Sequence, residues 1–223
     1  MIFALVLLML TISIVYAVYM FINAPSGIAQ NEYERVKSDY VLMILQCVVG
    51  SIIIFLPSKV EHIFHVDIPD LMEIIYFIFL FCAIYLGEVR NFYYRISYWD
   101  LILHCFSAAM LGTVGFMIVN ILNSSDRINI QLSPFFVALF AFSFAISCGT
   151  IWEVYEFVAD GLLQTNMQKF ITSNGTVLVG RGAIVDTMED IIVDVLGALA
   201  ITMIGYFDLR KKHIQHEMKQ KML

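Results

Sequence analysis

Of the chain's 223 residues, 60% are hydrophobic and only 14% charged, whereas soluble domains carry about 25% charged residues. That composition, with a mean hydropathy of +0.82, excludes an ordinary soluble domain and points to the lipid bilayer as the chain's partner. The net charge of −6 without a basic stripe excludes a nucleic-acid partner.

Six apolar runs reach or approach the length of about 20 helical residues that spans a bilayer: 2–22, 40–56, 70–87, 99–121, 134–158 and 184–207. The fold class expected is therefore an all-α, polytopic membrane helical bundle of about six transmembrane helices. The length suits one integral membrane domain over 1–223 with a basic tail at 208–223. The first run is read as a retained span, because it lacks a basic leader and a small-residue cleavage site. The second and third are short, so tilt or interfacial flanks must complete them. Between them, "VEHIFHVD" at 60–67 collects His62, His65, Glu61 and Asp67 and is read as an interfacial loop.

Ser97-x-x-Asp100 resembles a capping box at the start of the fourth run. Ser133-Pro134 places a cap and a first-turn proline before the fifth, and Gly161 is expected to end it. The connection 161–183 is long for a compact bundle and suits a lid or re-entrant segment. Cys47, Cys82, Cys105 and Cys148 all lie in apolar runs with no C-x-x-C spacing and read as small hydrophobes. Five of the thirteen Lys and Arg residues fall in the last fourteen positions. Positive residues favour the cytoplasm, so both termini are expected there in a multi-pass cell-membrane protein.

The unusual feature is acid inside the apolar runs. Asp100 and His104 lie one turn apart near the start of the fourth run, and Glu153 and Glu156 one turn apart near the end of the fifth. Asp186, Glu189, Asp190 and Asp194 open the sixth. Alternating spans bring these three groups to one side of the membrane. At 1.5 Å per residue Asp194 sits about 12 Å deeper than Asp186. A charged Asp at a helix centre costs about 2.5–3.5 kcal/mol, so the acids need a polar interior, protons or a cation. Arg90, Arg95 and Arg181 lie in loops on the acids' own side and are the local candidates for counter-charge, beside a metal ion, protons or a cationic ligand. Milder explanations exist for single residues. Asp100 and Asp186 occupy first turns, where the helix dipole favours a carboxylate. Glu189 points off the stripe made by Asp186, Asp190 and Asp194. Trp99, Trp152, Tyr93, Tyr94 and Tyr98 suit an aromatic belt.

The stretches "YWDLILHCFSAAMLGTVGF", "SCGTIWEVYEFVAD" and "VGRGAIVDTMEDIIVDVLGALA" resemble the YjdF-like bacterial inner-membrane proteins over roughly residues 70–207. They match the family's aromatic-x-D-x-x-x-H, E-x-x-E and G-x-x-x-D-T-x-x-D blocks, which carries over Asp100, His104, Glu153, Glu156, Asp186, Thr187 and Asp190. The glycine that members tend to show four residues after the histidine is Ala108 here, and Asp194 stands where relatives are often apolar. The last two blocks are more weakly similar to VanZ-like membrane proteins. The resemblance implies a membrane location and carries no established activity.

Three functions are compatible with the cluster. The leading one is a structural or sensing membrane protein in which acids and arginines form an internal network. The second is a metal-dependent membrane enzyme acting on a lipid-linked cell-envelope substrate. Its divalent metal would be held by Asp100, His104, Glu153, Glu156, Asp186 and Asp190, with Asp100, His104 and Glu153 as catalytic candidates. The third is a proton- or cation-coupled transporter.

Overall fold

The computed structural model describes residues 1–27, 35–123, 132–172 and 174–221, and these are nearly all helical. In chain order the helices are α1 (Ile2–Asn23), α2 (Lys37–Ile53), α3 (Leu56–Phe64), α4 (Asp70–Leu80), α5 (Phe92–Arg95), α6 (Trp99–Asn123), α7 (Pro134–Leu163) and α8 (Val185–Lys221). A π-helical segment, Phe81–Val89, continues α4, and a 3₁₀ turn, Gly180–Ile184, leads into α8. No strand forms among the described residues; there is one isolated bridge, Ile171 to Val177.

Six helical stretches among the described residues are long and apolar enough to cross a membrane: Ile2–Asn23, Lys37–Phe64, Asp70–Val89, Trp99–Leu122, Pro134–Leu163 and Gly180–Gln215. The short second and third runs gain their length from α3 and from the π-helical segment. Large apolar side chains stay exposed around the helices, including Leu8, Ile12, Val15, Phe135, Leu139, Ile151, Phe157, Ile192 and Leu196. Apolar surface on that scale belongs against lipid rather than water. Hydroxyls inside the spans turn back onto their own helices, as a waterless surrounding requires. Thr11, Ser51 and Thr150 each donate to the carbonyl four residues earlier, at 2.8 Å.

Several boundaries differ from expectation for local reasons. Ser133 does cap α7, accepting from the Phe136 amide at 3.3 Å. At the other end α7 runs through Gly161 to Leu163, and Gln164 takes the left-handed conformation with φ +57°. The carboxylate of Asp160 organises this exit, accepting from Thr165 Oγ1 at 2.7 Å and from the amides of Met167 and Gln168 at 2.8 and 3.0 Å. α6 opens at Trp99 behind a left-handed Tyr98, φ +65°, which displaces Ser97 from the capping position. Most of "VEHIFHVD" is helical rather than loop, because α3 continues to Phe64 and stops only at left-handed His65. The basic tail continues α8, and its last two residues lie outside the described ones.

The chain divides into two compact units, Met1–Leu103 with Tyr155–Asp186, and His104–Val154 with Thr187–Leu223. The core of the first is read directly from helical spacing. Val6, Leu10 and Ala17 form one stripe of α1; Tyr40, Met43 and Cys47 form one of α2; Leu80 and Ile84 complete the cluster. Gly50 lets the helices close, since a Cβ there would lie 2.4 Å from Ile84 Cδ1.

The second unit is built on small residues. Ala108, Ala145 and Ala198 form its buried cluster. Where the family resemblance leads one to expect glycine, the Ala108 methyl is accommodated at 1% exposure. A Cβ at Gly197 would fall 2.2 Å from the Cys105 carbonyl oxygen, and one at Gly115 would fall 2.7 Å from Ala141 Cα. Such residues let helix backbones approach within a bilayer, where dispersion contacts replace the hydrophobic drive.

Candidate functional site

In the first unit, the ammonium of Lys169 bridges two of the expected acids. It pairs with Asp100 Oδ2 and lies 2.8 Å from Asp186 Oδ1. The connection 164–179 brings it there. Lys169 is itself left-handed at φ +47°, and the turn is fastened by the Asp160 contacts. Asn166 holds the strand-like return, donating to the Ile171 carbonyl at 2.7 Å and accepting from its amide at 2.9 Å. Burial pulls the Lys169 pKa down, but Asp100 and Asp186 outweigh it and leave the ammonium above the ordinary lysine range. Arg90, Arg95 and Arg181, the local candidates for counter-charge, are exposed. Glu156 is buried in this unit at 5% exposure.

The second unit holds a different arrangement. The spacing of four residues on each helix stacks its groups in register. Asp190, Asp194, Ala198 and Thr202 follow one another along α8, Glu153, Gly149, Ala145 and Ala141 along α7, and His104 and Ala108 along α6; all of them are buried. The polar ends of these three stripes meet at the imidazole. His104 Nε2 lies 3.7 Å from Glu153 Oε1 and 4.0 Å from Asp190 Oδ2. The other ring nitrogen, Nδ1, lies 3.4 Å from Asp194 Oδ1. Exposures are 7% for His104, 4% for Glu153, 1% for Asp190 and 2% for Asp194.

The structure therefore brings His104, Glu153, Asp190 and Asp194 together in one unit, and Asp100 and Asp186 together in the other. Glu189 is exposed. The exposed His62 and His65 do not gather a ligand set among the described residues. One donor atom each from His104, Glu153 and Asp190 falls within 4.8 Å of the others, close enough to hold a metal ion. Three carboxylates gather about one imidazole here. Acids so deeply buried are costly to ionise unless a proton or a cation accompanies them.

Three contributors were not singled out from sequence. Lys169 was one cation among several loop residues, and only the folded connection delivers it to the acids. Asp160 reads like any carboxylate near a helix end. Gly149 makes room for Asp194, for a Cβ there would lie 2.1 Å from Asp194 Oδ2. Its place on the Glu153 stripe, one turn away, was the available signal.

Comparison with known proteins agrees with this membrane architecture. A family model described as "Predicted membrane protein (DUF2238)" matches residues 4–211. An "Uncharacterized protein" of Thermotoga maritima is 30% identical over 159 residues, covering 71% of this chain and 72% of its own length. No solved structure matches. With nearly the whole chain matched, six candidate spans and a buried His and carboxylate cluster, the protein belongs to the DUF2238 family of predicted membrane proteins.

Proposed function

We propose that this is a YjdF-like bacterial inner-membrane protein, with both termini cytoplasmic, whose function centres on a buried divalent-cation site. His104 Nε2, Glu153 and Asp190 supply the ligands. The observation carrying this reading is their convergence within 4.8 Å of one another, at 7% exposure or less. An imidazole with two carboxylates suits a borderline divalent ion such as Zn²⁺ or Mn²⁺. Asp100 and Asp186 have their own cation in Lys169, which favours the smaller ligand set. A bound ion at this site would serve sensing in the membrane.

Purified protein in nanodiscs, carrying His62→Ala and His65→Ala to remove the exposed imidazoles, should bind one equivalent of Zn²⁺ or Mn²⁺. Asp190→Asn should weaken that binding at least 100-fold. A wild-type protein that binds neither ion, and gains no thermal stability from either, would refute the proposal.

A second reading is favoured by the number of ligands. Three protein donors leave coordination positions open, which is what separates catalytic from closed structural metal sites. In that case the protein is a metal-dependent enzyme on a lipid-linked substrate. The ion would supply Lewis acidity or an activated water, and the three side chains would hold and orient it.

A further inference from the structure

The two nitrogens of His104 face different partners, and the difference assigns Asp194 a task. Nε2 looks toward Glu153 and Asp190, whereas Nδ1 lies 3.4 Å from Asp194 Oδ1. A neutral imidazole carries one N–H and one lone pair, so the partner of one nitrogen decides what the other presents. A carboxylate beside Nδ1 favours the tautomer with hydrogen there and leaves the lone pair on Nε2. Metal-binding histidines are commonly oriented in this way by a carboxylate behind the ring.

The packing around Asp194 is shaped to keep it behind the ring. Its side chain is buried, and neither oxygen accepts a geometrically good hydrogen bond among the described residues. Its space comes from Gly149, where even a single added methyl would fall 2.1 Å from Asp194 Oδ2 and 3.0 Å from Cγ. Close helix packing continues beside it. Three residues further along α8, Gly197 sits against the Cys105 carbonyl, with a Cβ distance of 2.2 Å. The lone pair on Nε2 then points at the two carboxylates rather than away from them. A nitrogen lone pair in an otherwise oxygen set prefers Zn²⁺, Mn²⁺ or Fe²⁺ to Mg²⁺ or Ca²⁺, which take oxygen donors.

We propose that Asp194, in the space left by Gly149, is the positioning residue that fixes the His104 tautomer and thereby selects a borderline transition-metal ion over Mg²⁺ at His104, Glu153 and Asp190. The metal part rests on the cation-site reading above; the tautomer part stands without it.

The test uses full-length protein in nanodiscs, with ¹⁵N-histidine labelling and Zn²⁺ and Mg²⁺ titrations. His104 is assigned from the signal lost in His104→Ala. In the metal-free wild type, its ¹⁵N shifts should report hydrogen on Nδ1. Asp194→Asn should mix the tautomers and weaken Zn²⁺ binding about 10–100-fold, while changing Mg²⁺ binding less than threefold. Gly149→Ala keeps Asp194 but crowds its carboxylate, and should move both readouts the same way. It provides the test should Asp194→Asn fail to fold. Wild-type tautomer and Zn²⁺ affinity in both variants, with Asp190→Asn defective, would overturn the role of Asp194 and leave the cation site standing. No Zn²⁺ binding by wild type, with the tautomer still dependent on Asp194, would overturn metal selection and uphold positioning.

Discussion

Two groups of acids in one chain have different partners. Asp100 and Asp186, in the first unit, share a lysine that a loop carries to them, and each retains appreciable exposure, 16% and 22%. Glu153, Asp190 and Asp194, in the second, each lie within 4.0 Å of the His104 imidazole, and each is at most 4% exposed. The first group has the form of a fastening. The second has the form of a receptacle, since three carboxylates gather about one imidazole. Acid content alone therefore does not mark function in a membrane helix. What separates the two is the partner each acid group has beside it, a lysine ammonium in the first and an imidazole in the second.

The largest effects should come from the second group. Asp190→Asn removes a ligand oxygen and a charge together, so ion binding should fall at least 100-fold while the variant remains folded. Chelation should mirror this in wild type. At an ion concentration one hundred times Kd, withdrawing the ion should cost about 2.7 kcal/mol of stability, as read by unfolding in mixed micelles.

Lys169→Met should sharpen the contrast. It leaves two carboxylates without their ammonium, and buried pairs broken on one side lose about 3–5 kcal/mol. With partial exposure the loss should be nearer about 1–3 kcal/mol, without change in ion affinity. Adding Asp100→Asn and Asp186→Asn to that variant should recover most of the loss, because the isolated charges go with it. A variant in which ion binding falls along with stability would blur the distinction.

A smaller effect is the pH dependence of that fastening. The Lys169 pKa is raised in the folded protein, so its contribution is fully present below the unfolded value of about 10.4. It is lost as pH rises through the folded value. The stability difference between wild type and Lys169→Met should therefore stay flat from pH 7 to about 10 and shrink only in stronger alkali, as equilibrium unfolding across pH would show. A decline near neutral pH would contradict the assignment of the pair.

How much of this could be read from sequence depends on the range of the physics involved. The spans were legible because apolar length is a local property, and Ser133-Pro134 because a cap and its helix are adjacent. The stripe Asp190 and Asp194 was legible as helical periodicity. Lys169 was not, because its role depends on a turn at 164–172 that is held by Asp160. Nor was the end of α7 at Leu163, since the same carboxylate overrides the glycine signal at Gly161. Gly149 and Gly197 matter through contacts with other helices, and no local pattern announces those. His62 and His65 show the reverse error of expectation. A histidine and acid string that reads as an interfacial loop mostly belongs to α3.

On the cation-site proposal, the second acid group takes up an outside cation and the first does not. Thermal unfolding of wild type, Lys169→Met and Asp190→Asn, each with and without saturating Zn²⁺ in the His62→Ala, His65→Ala background, tests it most directly. Zn²⁺ should raise the Tm of wild type and Lys169→Met by equal amounts and leave Asp190→Asn unmoved. A Zn²⁺ shift that survives in Asp190→Asn, or disappears in Lys169→Met, would contradict the account.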